Sequence, residues 1–272
     1  MHLREFAKAA APSVVHEIIQ AHKTLTGLPI SVSTHPWFSA FSPGMRRAIA
    51  GSRFALFPRW LRRPLSFVLD VGANEGQWLT SLLVLVPVKE AWVFEPNPDA
   101  MQRCRMRAAQ YPGITFHEVA VGAVLGRAVL HVTQSSDFSS LLIPNTTLIE
   151  AHYSNNPAKI IAEQMVEVTT LDKIVPLSKE IDLLKIDVQG VEREVLQGAS
   201  LTLKRTAAIL LEVNLRSHYD GDQTFGSLYS VLEARGFELW SMSQPYLGTS
   251  GEALWADALF VNRSHTLRRG SQ

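Results

Sequence analysis

Phe67-Val68-Leu69-Asp70-Val71-Gly72-Ala73-Asn74-Glu75-Gly76-Gln77-Trp78, followed by Val93-Phe94-Glu95-Pro96, decides the fold. An apolar run ends in an acid, passes through a Gly-x-x-x-Gly turn and enters a segment able to start a helix. A second apolar run ends in another acid, Glu95, 19 residues after Gly76. This pattern holds a nucleoside at the carboxyl edge of a parallel sheet. Glycines let the backbone come close to the ligand, and the second acid accepts hydrogen bonds from ribose hydroxyls. A dinucleotide site would instead read G-x-G-x-x-G, with a helix N-terminus facing a pyrophosphate. Here position 74 is Asn, and Asp70 and Glu75 add negative charge. A cationic cofactor fits better than a polyanion, and S-adenosylmethionine, with its sulfonium and ammonium groups, is the expected one. Asp70, Gly72, Ala73, Asn74, Gly76, Gln77, Glu95 and Pro96 are the residues assigned to it.

Outward from this stretch, apolar runs alternate with helical periodicity. Strands are expected over 67–71, 91–94, 114–121, 181–187, 207–213, 237–243 and 257–262, with helices over 76–86, 98–110, 191–204 and 225–235. The run 181–187 has the continuous apolar character of a buried parallel strand. Residues 127–134 and 164–171 alternate as half-buried strands do. Between them the polar segment 135–157 is long enough for a lid or substrate loop. Strands alternating with helices predict a doubly wound, mostly parallel α/β sheet, Rossmann-like. Before it, Val14, Val15, Ile18, Ile19 and His22 mark an amphipathic helix, and residues 28–45 look irregular.

Asp70-Val-Gly-Ala-Asn-x-Gly76, Phe94-Glu95-Pro96, Leu183-Leu-Lys-Ile-Asp187-Val-Gln-Gly-Val-Glu192 and Trp255-Ala-Asp-Ala-Leu-Phe260, in that order and spacing, resemble the FkbM-type methyltransferases over residues 66–262. The resemblance implies a seven-stranded class I fold whose last pair of strands forms a reversed hairpin. It also implies methyl transfer, usually to a hydroxyl of a sugar, polyketide or other natural product. The domains expected are a helical cap over 1–65, a methyltransferase domain over 66–264 and a tail over 265–272. Many members read Asp-x-Glu-Gly-x-Glu where this chain has Gln189 for the first Glu.

With 46% hydrophobic residues, the 272-residue chain can bury a sizeable core. Cys104 is the single cysteine, which excludes an intrachain disulfide or a thiolate zinc cluster and suits a reducing compartment. No apolar run approaches the ~18 residues of a membrane span. The start has no uninterrupted apolar stretch of signal-peptide kind, so a cytoplasmic protein is expected. The net charge of +1 hides an asymmetry: residues 1–63 carry nine Lys/Arg against Glu5 and Glu17, a balance of +7, which leaves −6 for the rest. A basic cap packed on the domain, or one meeting an anionic substrate, acidic carrier or membrane surface, are both open. Because no basic run exceeds two residues, no nucleic-acid partner is expected.

Methyl transfer from a sulfonium is an in-line displacement that needs an aligned acceptor oxygen and a group to take its proton. Asp70, Glu95, Glu118, Asp187 and Glu212 all fall at or near strand carboxyl ends. Asp70 is expected at the methionine end of the cofactor, through backbone or water, and Glu95 at the ribose. Glu118 or Ala120 should lie beside adenine, and Ser139, of the pair Ser139-Ser140, beside cofactor or acceptor. From the resemblance, Asp187 faces the methyl group, to orient the acceptor hydroxyl or act as base. His117, His152 and His218 are candidate bases, and His218, in the loop after the fifth strand, is preferred. Asp187, Glu212 and Asn214 could supply three oxygens to a hard cation, but no metal site is assigned. The acceptor is expected to be a small-molecule or glycan hydroxyl. The alternative from another class is a cofactor-binding scaffold or regulatory partner that has lost catalysis.

Overall fold

The computed structural model describes residues 56–58, 61 and 63–265. The helix after Pro12, the irregular stretch 28–45 and most of the expected cap and tail lie outside the described residues.

Five parallel strands form the centre: β1 (Leu65–Val71), β2 (Val88–Phe94), β3 (Ile114–His117), β7 (Leu183–Ile186) and β8 (Ala208–Asn214). Their order across the sheet is β3-β2-β1-β7-β8. Beyond β8 the long strand β11 (Ala253–Asn262) runs antiparallel. Its far edge is shared by β10 (Tyr246–Leu247), opposite Ala253 and Trp255, and β9 (Phe237–Met242), opposite Ala258–Asn262. Eight strands thus occupy seven lanes, and the reversed last pair expected from the resemblance is present.

Side-chain alternation along the strands builds two cores on the two faces. Phe67, Leu69, Val71, Ile186, Leu211 and Val213 pack on one face beneath α4 (Leu171–Ile174), α5 (Glu192–Gln197), α6 (Ser200–Leu203) and α7 (Phe225–Glu233). Val68, Val93, Leu183, Leu210 and Leu259 pack on the other against α1 (Gln77–Leu85) and α2 (Pro98–Ala108), together with Phe57 and Leu61 from the chain ahead of β1. This second face changes character towards the carboxyl ends. Two residues past Val68 stands Asp70, past Leu183 stand Lys185 and Asp187, and past Leu210 stand Glu212 and Asn214. Register places Asp70 beside Lys185 and Glu212 beside Asp257. An apolar floor therefore ends in a charged rim, and that rim is the candidate site.

Two expectations need correction. The third strand was expected over 114–121, but the chain leaves the sheet after His117. Ala120 and Val121 form β4 in a separate three-stranded sheet with β6 (Ile160–Thr169) and β5 (Gly126–Thr133). The 191–204 helix is divided at Gly198, where any Cβ would stand 2.1 Å from the Gly122 carbonyl oxygen. The segment 135–157 contains a short 3-10 turn (Ser136–Phe138) and α3 (Thr146–His152). It is fastened to the loop after β8: Asn145 N donates to the His218 carbonyl at 2.8 Å, and Asp220 N to that of Ile143 at 2.9 Å.

Candidate active site

Glu95 ends β2 almost wholly buried. Its Oε2 accepts from Asn74 N at 2.8 Å and its Oε1 from Asn97 N at 2.9 Å. Asn74 reaches it because its φ is +48°, a left-handed conformation that Asn tolerates better than most side chains. Burial pushes the Glu95 carboxyl up from 4.5 to about 7, against the pull of those two N–H groups and the Lys185 charge. The Asn74 amide nitrogen bridges to Asp137 at 2.5 Å, while its Oδ1 is buried with no hydrogen-bond partner among the described residues. Pro96 is half-buried after Glu95, and Gln77 opens α1 on the same loop.

The glycines of this loop also meet a packing demand. A Cβ on Gly72, whose φ is +74°, would lie 1.8 Å from the Asp187 carbonyl oxygen, and one on Gly76 would lie 2.7 Å from Cys104 Sγ. These glycines let the loop after β1 close on β7 and α2. Ala73 is likewise buried in the core beside α1 and α2. Glu75 also departs from its expected part in an acidic pocket, because it turns to Arg103 at 2.8 Å and Arg107 at 2.5 Å on α2.

Asp70 is buried beside the glycine turn. Its carboxylate is fully buried, 3.3 Å from Lys185 Nζ. That ammonium also lies 3.4 Å from Asp187 Oδ2 and donates to the Gly72 carbonyl at 2.6 Å. Lys185 therefore ties the glycine turn to two acids on neighbouring strands. Sequence reading passed over it inside an apolar run, although a lysine in a buried strand was itself a signal.

Asp187 and Glu212 are linked by Gln189. Its amide Nε2 donates to Asp187 Oδ1 at 2.7 Å and to Glu212 Oε1 at 2.9 Å. The Tyr219 hydroxyl donates to the amide oxygen at 2.7 Å, and Ser140 Oγ donates to the Gln189 carbonyl at 2.6 Å. An amide at this position holds two carboxylates together where a third would repel them. Gln189 adopts φ +57°, followed by Gly190 at +105°. Glu192 caps this turn, accepting from Val188 N and Gly190 N at 3.1 Å, and burial pushes its carboxyl up from 4.5 to about 7. Asn214 donates its amide N–H to Asp222 at 2.9 Å.

His218 is buried in the loop after β8. Asp222 organises that loop by accepting from His218 N at 2.9 Å and Tyr219 N at 3.3 Å. The ring of His218 meets Tyr153 and the Arg216 carbonyl, and burial lowers its pKa. His117 is no acceptor-side base: it stacks on Phe94 at 4.7 Å on the flank of the sheet. His152 pairs with Glu252 at 3.2 Å. Glu118 is exposed just past β3, next to Glu95, whose N donates to the His117 carbonyl at 3.2 Å. Ala120 faces the small core of the second sheet with Leu130 and Val166. The Ser139 hydroxyl is committed to its own turn, accepting from Thr133 N at 3.1 Å. Sequence reading missed Lys185, Tyr153, Tyr219 and Asp222.

Residues 70–239 match the family described as the methyltransferase FkbM domain. The chain is 30% identical over 203 residues to the 2-O-methyltransferase NoeI of Sinorhizobium fredii (strain NBRC 101917 / NGR234), covering 71% of this chain and 80% of that protein. It is 28% identical over 184 residues to Methyltransferase 1 of Beauveria bassiana (strain ARSEF 2860), covering 63% and 72% respectively. Among solved structures, methyltransferase FkbM from Methylobacillus flagellatus KT aligns over 92% of this chain and 60% of its own length, with 16% identity and a TM-score of 0.45.

Proposed function

The chain belongs to the FkbM methyltransferase family, and we propose that it transfers a methyl group from S-adenosylmethionine to a hydroxyl of a small-molecule or glycan acceptor. The observation that carries this reading is the charged rim, in which Glu95 at the end of β2 and the Asp187–Gln189–Glu212 array at the ends of β7 and β8 border one edge of the sheet.

The residues fit a sulfonium nucleoside. Each Glu95 oxygen uses one lone pair on a backbone N–H and keeps another for a ribose hydroxyl. The unpartnered, buried Asn74 Oδ1 is an acceptor suited to a donor such as the cofactor's ammonium. Glu118, exposed just past β3, borders the adenine in this reading. When bound, S-adenosylmethionine supplies an electrophilic methyl group carried on positive sulfur.

The chain's own groups orient and deprotonate the acceptor. Asp187, fixed by Lys185 and Gln189, points an acceptor hydroxyl at the reacting carbon, and its charge favours the cationic reactant. His218 is the base that ends with one more proton as the acceptor hydroxyl loses its own. The printed activity of the Sinorhizobium relative supports oxygen as the acceptor atom. Residues 1–65 are assigned as a cap bearing on the acceptor, with no role for nucleic acid. A reducing cytoplasm suits the buried, unpaired thiol of Cys104.

The test is transfer of label from methyl-labelled S-adenosylmethionine to hydroxyl compounds. An alkali-stable methyl ether is the expected product. Label recovered on nitrogen, or as a base-labile ester, contradicts the reading.

A further inference from the structure

Tyr153, just past α3, has its hydroxyl held by two groups of opposite character. The Trp255 indole N–H donates to it at 3.2 Å, and His218 Nε2 lies 3.0 Å away. On the far side of that imidazole, Nδ1 is 2.9 Å from the Arg216 carbonyl oxygen, which can only accept. Nδ1 therefore carries the proton in neutral His218, Nε2 presents a lone pair, and the Tyr153 O–H is the donor between them. The phenol oxygen keeps capacity to accept one further hydrogen bond.

Exposure decides which of the two can meet a substrate. His218 is 3% exposed and both its ring nitrogens are engaged, whereas Tyr153 is half-buried. The Tyr153 ring is held firmly. Tyr246 stacks on it with centroids 5.6 Å apart and on Trp255 at 5.5 Å, with planes within 8°. Phe138 braces Tyr153 at 5.2 Å, and its carbonyl oxygen lies 3.2 Å from the hydroxyl of Tyr219, the residue that binds Gln189 between Asp187 and Glu212. Tyr153 is thus coupled through one contiguous network to the carboxylates of the rim.

Resting on the methyltransferase reading, we infer that Tyr153 is the catalytic residue that takes the acceptor's hydroxyl proton while passing its own to His218. The acceptor oxygen forms its bond to the methyl carbon, and the carbon–sulfur bond breaks with its electron pair going to sulfur. The hydroxyl proton moves to the Tyr153 oxygen as the Tyr153 proton moves to His218 Nε2. One positive charge disappears at sulfur and one appears at His218, so charge balances and no tyrosinate forms. That agrees with Tyr153 and His218 both being uncharged at rest: burial raises the first pKa and lowers the second. The titratable groups bearing on His218 are Tyr153, the Asp222 carboxylate, which favours its protonated form, and His152, which opposes it.

The test compares full-length wild-type, Tyr153→Phe and His218→Gln proteins. Phe keeps the ring stack, and Gln keeps an acceptor for Tyr153 while being unable to take a proton. Methyl-labelled S-adenosylmethionine is supplied with methyl glycosides, phenol and water as acceptors. Both variants should lose about 100-fold or more in kcat, with S-adenosylhomocysteine affinity unchanged. Wild-type kcat should fall as pH drops through the His218 titration, a limb absent from His218→Gln. Nitrogen NMR, which needs no acceptor, should find neutral His218 protonated at Nδ1. Full kcat in Tyr153→Phe, a proton on Nε2 instead, or a wild-type protein that binds S-adenosylhomocysteine yet methylates none of these acceptors would each overturn the relay. A folded wild-type protein that does not bind S-adenosylhomocysteine overturns the underlying methyltransferase reading, and the relay with it.

Discussion

Replacing Glu95 by Gln should produce an affinity loss that depends on pH. Glu95 is buried and its carboxyl is pushed from 4.5 to about 7, so in the unliganded protein its ionised form is disfavoured by on the order of 3 kcal/mol. Two ribose hydroxyls donating to that anion form charge-assisted bonds of about 1.5–3 kcal/mol each. Gln offers one acceptor oxygen, and its NH2 must face one of the donors Asn74 N or Asn97 N. Well above pH 7, where wild-type Glu95 is ionised, the variant should bind S-adenosylhomocysteine about 2–3 kcal/mol more weakly. Well below pH 7 the wild-type side chain is itself neutral and resembles Gln, so the gap should close to under about 1 kcal/mol. Wild-type affinity should therefore climb as pH rises towards about 7 and level off above it, while the variant stays flat. Calorimetric titration across the range, with circular dichroism confirming that both proteins are folded, measures this. An affinity gap of constant size at every pH would refute the buried-anion account of ribose binding.

Other perturbations probe the scaffold of the site. Lys185→Met removes the ammonium that faces Asp70 and Asp187, and breaking a buried pair from one side should cost about 3–5 kcal/mol in urea unfolding; a loss under about 1 kcal/mol would contradict that pairing. Gly72→Ala places a Cβ 1.8 Å from the Asp187 carbonyl oxygen at φ +74° and should destabilise the fold by about 3 kcal/mol or more, weakening S-adenosylhomocysteine binding as well. Glu192→Gln tests proton linkage. With its carboxyl raised to about 7, folded wild-type protein holds an extra proton between 4.5 and that value, so stability falls as pH rises through this window. The variant should lose that part of the slope, on the order of 3 kcal/mol in all, and an unchanged slope in chemical denaturation would argue against a buried carboxyl there.

The sheet was legible because each buried strand is a short apolar run, and because an acid or a Gly-x-x-x-Gly turn marks where it leaves the core. Glu95 was readable for the same reason: its spacing from Gly76 is set by one helix and one strand. The end of the third strand was hidden because residues 114–121 carry no Gly or Pro to mark the point where the chain changes sheets. Lys185 was hidden by its apolar neighbours, and its purpose depends on Asp70, a partner on another strand 115 positions away. Tyr153, Tyr219 and Asp222 escaped notice because their roles arise from long-range contacts, such as the 65-residue separation between Tyr153 and His218. The glycines show the reverse case: their positions were plain, but that they serve backbone packing appears only when β7 and α2 are in place.

A site of this make-up should take a cationic single nucleoside and not a pyrophosphate dinucleotide. The most direct measurement is a calorimetric titration of the full-length protein with S-adenosylhomocysteine and, in parallel, with NAD. The account predicts saturable binding of S-adenosylhomocysteine and none of NAD. Folded protein that fails to bind S-adenosylhomocysteine, or that binds NAD in its place, would contradict it.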